Sequence, residues 1–270
     1  MGNLIYLYGL VPAKEAEQKS LSPTKGFDGE GNLYAVPINH TTAIVCELNS
    51  NDYAEATIEN KMNNDMDWLQ EKAFHHHETI STLHNNYTFI PLKFCTIYKS
   101  KTNLQETIQA NEGKVEESFN LLKGNEEWTL KIYSDDNKLR KQIDRTNAEI
   151  EEKRNEISEL PRGRQFFERK KIDSLVDKAL EKEKDRIGEC LHDRLKKYAV
   201  DYSIKKNWGK DVTGLKEDMT WNSVYLLPKD RVEDFIVEIE DTEKELGDSS
   251  WRIEATGPWP AYHFSSISRQ

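Results

Sequence analysis

From about residue 136 to residue 200 the chain reads as charged helix with one interruption, Leu160-Pro161-Arg162-Gly163. Proline and glycine both oppose continued helix, so two helical pieces are expected with a break between them. In the first piece Ile143, Ile150 and Ile157 recur every seven residues, with Leu139 and Leu160 at the matching d positions. Thr146 and Lys153 occupy the other d positions and thin the seam. The pattern is that of a protruding helical arm, or of one side of a short coiled-coil hairpin. The second piece carries the stripe Ile172, Leu175, Val176, Ala179, Leu180, Ile187, Cys190, Leu191, Leu195 and Tyr198.

The segments around this run constrain the fold further. Glu127 to Tyr133 alternates Trp128, Leu130 and Ile132 against Lys131 and predicts a strand. After the helical run come strand candidates at Tyr202 to Asn207 and Trp221 to Leu227, then a helix over 231–246 stopped by Gly247. Trp251 to Ala255 is the last strand. The order β, long α, β, β, α, β is ferredoxin-like with an inflated first crossover.

Upstream, Asn3 to Val11 predicts a first strand, and residues 13–33 a loop. Leu33 to Val36 and Thr41 to Leu48 pair as a plausible hairpin across Asn39-His40. A helix follows over 63–83, capped by Asp65, with Trp68, Leu69, Ala73, Phe74, His76, Ile80 and Leu83 on its apolar face. Tyr87 to Tyr98 is extended, and Pro91 makes it an edge or bulged strand. A second helix covers 103–122 and stops at Gly124-Asn125. The expected architecture is therefore α+β in two domains. An N-terminal α+β domain spans 1–124. A ferredoxin-like domain spans 125–255, with the helical insertion at about 136–200. A tail, 256–270, docks between them.

Composition narrows the function. Apolar residues are 36% and charged residues 32%, so part of the chain is exposed charged helix. The 26 aromatic residues (6 Trp, 11 Tyr, 9 Phe) are far too many for a disordered chain. A net charge of −10 argues against a nucleic-acid binder. Cys46, Cys95 and Cys190 are odd in number and far apart, with no disulfide or zinc spacing, and read as buried thiols. No run approaches the ~20 apolar residues of a membrane span, and the N-terminus lacks a basic signal-like region. A cytoplasmic protein is expected.

Three constellations bear on chemistry. His75-His76-His77-Glu78 invites a metal, yet successive helical residues point about 100° apart and no i, i+4 pair completes a set. One histidine packed and hydrogen-bonded, with the others solvated, is the expected arrangement. No phosphate-binding glycine loop, nucleophile elbow or acid–base pair appears, so no catalytic, cofactor or metal residue is nominated. Arg162-Gly163-Arg164-Gln165-Phe166-Phe167-Glu168-Arg169-Lys170-Lys171 is the one basic, aromatic-interleaved stretch. Its phenylalanines either pack inward at a helix start, or form with Arg162 and Arg164 a protein-contact site for an acidic partner. In the tail Gly257-Pro258-Trp259-Pro260-Ala261-Tyr262-His263-Phe264, two prolines stiffen an extended course. Trp259, Tyr262 and Phe264 are expected to dock, with Trp259 and Phe264 filling grooves between domains; otherwise the tail is a ligand for another protein.

These segments together resemble the gas vesicle protein F/L family. Ile5-Tyr6-Leu7-Tyr8-Gly9-Leu10 resembles its opening strand, and Trp68, Ala73, His76 and Glu78 resemble its tryptophan-to-histidine helix. Pro91-Leu92-Lys93-Phe94-Cys95-Thr96 is similar to its Pro-Leu-Arg-Phe-Gly-Thr, with Cys95 where the family has glycine. A side chain disfavours positive φ, so the sequence leaves open whether Cys95 keeps the special backbone angle a glycine would allow. Glu127-Trp128, Lys131 and Tyr133 resemble its Glu-Trp-x-x-Lys-x-Tyr strand, and Pro161-Arg162-Gly163-Arg164 its Ser-Pro-Gly-Arg break. Gly257-Pro258-Trp259-Pro260-Ala261-Tyr262 is similar to its Gly-Pro-Trp-Pro-Pro-Tyr ending. The resemblance implies a structural or assembly protein of gas vesicles, the gas-filled compartments that give cells buoyancy. Its implied partners are the hydrophobic shell protein and other accessory gas vesicle proteins. No enzyme activity, cofactor, small-molecule substrate, nucleic acid or membrane is implied. Two other readings of the residues stand beside it: a metal-binding enzyme using His75–His77, and a generic coiled-coil adaptor using the isoleucine seam.

Overall fold

The computed structural model describes residues 3–247 and 250–265. The chain divides into two compact units, 1–127 with 258–270, and 128–257. The first unit contains β1 (Leu4–Pro12), α1 (Ala13–Gln18), β2 (Tyr34–Ile38), β3 (Thr41–Leu48), α2 (Glu55–Asn64) and α3 (Met66–Asn86). It continues with β4 (Ile90–Pro91), β5 (Ile97–Tyr98), α4 (Lys101–Ala110) and α5 (Glu112–Leu122). The sheet order is β2-β3-β1-β4, with β5 also on β1. β1 is central, which is why Ile5 to Val11 reads as a continuous apolar run rather than an alternating one. Helices α3 and α4 both pack on it.

Pro91 lies on the edge strand β4, opposite Gly9, where its missing N–H is not needed. Gly9 sits at a bulge of β1, and a Cβ there would collide with the Phe89 ring and the Ile90 carbonyl. Asn39 takes φ 50 in the β2–β3 turn, as the tight hairpin requires.

Several expectations need correction here. The expected loop over 13–33 includes α1, and α2 precedes the helix that Asp65 caps. Asp65 does cap α3, accepting from the Trp68 N–H at 3.0 Å. The buried stripe of α3 is Lys72, His76, Thr79, Ile80 and Leu83, so Ala73 and Phe74 face solvent. The aliphatic stem of Lys72 covers apolar surface that the pattern assigned to Ala73 and Phe74, while its ammonium reaches Glu71. The helix expected over 103–122 is two helices, α4 and α5, parted at Asn111. Cys95 adopts φ 60 despite its side chain. Its N–H donates to the Tyr6 hydroxyl at 3.2 Å, which helps hold the turn between β4 and β5.

The second unit carries β6 (Asn125–Ser134), α6 (Asp136–Thr146), α7 (Ala148–Ser158) and α8 (Arg162–Leu195). Then follow β7 (Asp201–Ile204), α9 (Lys210–Thr213), β8 (Asp218–Pro228), α10 (Val232–Leu246) and β9 (Trp251–Trp259). The sheet order is β7-β8-β6-β9, the same second–third–first–fourth sequence of strands as in the first unit. Leu191 and Leu195 of α8 and Phe235 and Ile239 of α10 meet Leu130, Ile132, Tyr225 and Leu227 of the sheet in one core. Gly188 lies directly under the Trp221 ring, which leaves no room for a Cβ.

The insertion is three helices rather than two. Asn147 ends α6 and caps α7, accepting from the N–H groups of Glu149 and Ile150. Leu139, Ile143 and Ile150 cluster with Val176 and Leu180 of α8, so the isoleucine seam is spent within the chain. Arg154 adds a tie from α7 to the C-terminal turn of α6, at 2.8 Å from Asp144. The three cysteines are not all buried: Cys46 is, Cys95 is half-buried and Cys190 is exposed. Among the described residues no helix is long and apolar enough to cross a membrane.

Candidate interaction site

α8 starts at Arg162, immediately after Pro161, whose extended backbone ends the turn from α7. Gln165 fixes that turn by donating from Nε2 to the carbonyls of Ser158 (3.1 Å) and Leu160 (2.8 Å). Traced back from Val176, the inward stripe of α8 passes through Ile172 to Glu168 and Gln165, at i, i+3, i+4 spacing. Phe166 and Phe167 lie off that stripe. They are 67% and 72% exposed, and contact each other edge-to-face at 5.7 Å. The expectation that they pack inward is overturned; what seats the helix start is a glutamine.

Five cations and one carboxylate lie within 162–171. The carboxylate, Glu168, accepts from Lys171 at 2.8 Å, and that bond holds it below its ordinary range. Arg162, Arg164, Arg169 and Lys170 are exposed and form no salt bridge among the described residues. Arg162, Phe166, Arg169 and Lys170 follow i, i+4, i+7, i+8, so one face of α8 presents an aromatic ring bracketed by cations.

The tail divides. β9 runs to Trp259, four residues past the expected strand end at Ala255. Trp259 is 39% exposed and approaches the His77 ring at 6.3 Å. Phe264 is 2% exposed and Ala261 is buried, while Tyr262 packs against the core of Tyr6, Tyr8, Phe27 and Phe89. Burial raises the Tyr262 hydroxyl above its ordinary pKa. The buried carboxylate of Glu127 receives the His263 N–H at 3.0 Å and its Nδ1 at 2.6 Å. That bidentate pairing seats 262–264 in the first unit, because a buried charge needs partners.

The three adjacent histidines turn to different surroundings. His76 is buried among Tyr6, Tyr8 and Phe94, with Nδ1 at 2.7 Å from the Tyr6 hydroxyl. Burial lowers its pKa to about 4. His75 bonds the Tyr8 hydroxyl at 3.0 Å, so it is not solvated as expected. His77 faces Trp259. Helical rotation separates the rings, and among the described residues no group of three His, Cys, Asp or Glu converges.

A groove of about 900 Å³ opens in the first unit, with Leu4, Tyr53, Ile58, Met62, Ile97 and Tyr98 among its walls. Glu55 and Glu59 of α2 stand on its rim with Lys99. Its walls come from three separate stretches, and its one local signal was the pair Ile58 and Met62 at i, i+4.

A family model described as gas vesicle synthesis protein GvpL/GvpF matches residues 4–266. Gas vesicle protein L of Streptomyces sp. (strain CB03234) is 23% identical over 228 residues, covering 84% of this chain and 81% of that protein. Gas vesicle protein F of Nostoc sp. (strain PCC 7120) is 24% identical over 269 residues, covering 99% and 100%. The crystal structure of GvpF from Anabaena sp. PCC7120 superposes with a TM-score of 0.76 at 20% identity, covering 99% and 100% of the two chains. That of GvpF from Microcystis aeruginosa gives 0.67 at 18%, covering 97% and 99%. At these identities the structural likeness establishes the fold.

Proposed function

The chain belongs to the gas vesicle synthesis protein GvpL/GvpF family, and from that premise we propose that it is a non-enzymatic assembly protein of gas vesicle formation. In this reading it binds the hydrophobic shell protein and other accessory gas vesicle proteins during nucleation, in the cytoplasm and at the gas vesicle. The observation that carries it is a family match running almost the whole length of the chain. A shell subunit exposes apolar surface before it polymerises, and such surface aggregates unless covered. We place the protein contact at the start of α8, on Arg162, Arg164, Phe166 and Phe167, because these are exposed and the two arginines form no salt bridge among the described residues. We also read the second unit as ferredoxin-like with a helical insertion, which the strand order β7-β8-β6-β9 supports.

The two other readings lose their footing on particular residues. The coiled-coil adaptor needs a free isoleucine seam, and Ile143 and Ile150 are covered by α8. The metal enzyme needs converging histidines, and the His75, His76 and His77 rings diverge. Co-expression with the shell protein, followed by pull-down and electron microscopy, tests the assembly reading. Association, and loss of vesicles on deletion of this chain, are expected. No association together with normal vesicles would end it.

A further inference from the structure

The exposed phenylalanine pair and the groove are two open apolar features of the fold, and they lie in regions of opposite charge. The start of α8 has five cations against one carboxylate over 162–171. The first unit, residues 1–127 and 258–270, has 18 carboxylates against 11 Lys and Arg. Within it, Glu55 and Glu59 are exposed on one face of α2 at i, i+4 and stand over the groove, where they outnumber the one lining cation, Lys99. Neither forms a salt bridge among the described residues. The groove lining is aliphatic and aromatic, with Ile58 and Met62 from α2 and Ile97 and Tyr98 from β5. Its volume of about 900 Å³ is near the upper end of the roughly 300–1,000 Å³ of ligand-sized clefts, ample for two phenyl rings. Met62, 40% exposed at its mouth, is an unbranched side chain that adapts to an entering ring.

We propose that the start of α8 docks into this groove on a second copy of the chain, with Phe166 and Phe167 in the groove and Arg162 and Arg164 on Glu55 and Glu59. This rests on the assembly reading above and names the partner of the same contact surface. The two patches differ, so the contact is heterologous: each copy offers one donor tip and one acceptor groove, which generates rings or open chains. Two molecules of net charge −10 repel at long range, and the local pairing of a cationic tip with an acidic rim offsets this within about 8 Å at physiological ionic strength. The contact is small, which places it among weak, reversible associations. A growing shell accumulates such links side by side, and linked weak contacts gain avidity.

Two full-length variants test it, each analysed by sedimentation velocity over a concentration series. One carries Arg162→Glu and Arg164→Glu; the other carries Glu55→Lys and Glu59→Lys. All four side chains are exposed, so unchanged circular dichroism and melting confirm that both variants fold. Wild type is expected to self-associate with rising concentration, and each variant alone to associate about tenfold more weakly. An equimolar mixture of the two is expected to recover association, because each tip then meets a groove of opposite sign. Phe166→Ala with Phe167→Ala is expected to abolish it. A wild type that stays monomeric throughout, or association untouched by charge reversal, overturns the proposal. If wild type is monomeric while the Phe166→Ala, Phe167→Ala variant loses shell-protein capture, the assembly reading survives and self-docking falls. If shell capture is absent as well, both fall.

Discussion

Phe264 and Trp259 stand five residues apart in the aromatic tail, yet they are 2% and 39% exposed. Deleting a fully buried phenyl removes transfer energy and leaves a cavity, so Phe264→Ala should lower unfolding free energy by about 3–5 kcal/mol in urea titration. Trp259→Ala should fall well short of that, because much of the ring already meets water. Gly9→Ala is a test of opposite kind. The new methyl meets the Phe89 ring and a carbonyl, and overpacking of this sort costs about 1–3 kcal/mol. His76 makes a pH prediction. Its pKa is lowered by burial to about 4, so the unfolded chain takes up the proton first as pH falls. Stability from this group is intact above about pH 6.5 and is lost progressively toward pH 4, reaching about 3 kcal/mol. His75 is shifted the same way, by burial first and by Lys72 second. Urea midpoints measured from pH 7 to pH 4 should fall less steeply in His76→Phe. An equal slope would assign the acid sensitivity to other groups.

Among the elements, the insertion shows how far a periodic pattern reaches. The seven-residue spacing of Ile143, Ile150 and Ile157 identified a buried seam, and all three are buried. It did not show the break at Asn147, because asparagine is unremarkable inside a charged helix until its side chain caps the next one. Nor did it show that the partner of the seam is α8 of the same chain. Ile150→Ala should therefore destabilise α6, α7 and the facing part of α8 together, by about 2–5 kcal/mol, seen as faster hydrogen exchange in those helices. The phase of the apolar stripe also governs the start of α8. Phe166 and Phe167 look like core residues by type, but the phase of the stripe set by Ile172, Val176 and Leu180 turns them outward. α1 and α2 escaped notice because neither is preceded by a side-chain cap, and α2 buries only Ile58.

At the scale of the whole molecule, two sheets with the same strand order each gather their own core, and the charge is distributed unevenly over them. The surface at the start of α8 contributes little to folding, since its rings are in water. Phe166→Ala with Phe167→Ala should leave thermal unfolding within about 0.5 kcal/mol of wild type. The same variant should reduce vesicle yield when it replaces the wild-type chain in a vesicle-forming cell. Normal vesicles with a folded variant would remove this surface from the assembly role.

Sequence alone determined what local chemistry can encode. The central strand is legible in its unbroken apolar run, the edge strand in Pro91, the cap in Asp65, the hairpin turn in Asn39-His40 and the buried seam in its seven-residue repeat. Family membership was legible too, in short motifs spread along the chain. Tertiary structure alone decided which residues from distant segments meet: Glu127 with His263, Tyr6 with His76, and Leu4 with Met62 and Tyr98 around one groove. It also decided which of two similar aromatics is buried, and it set Cys95 at φ 60 with its N–H on the hydroxyl of Tyr6, 89 residues away. The reason is physical. Periodicity and capping act over a few residues, where the chain's own geometry is known in advance. Burial and pairing depend on through-space neighbours that no local pattern specifies.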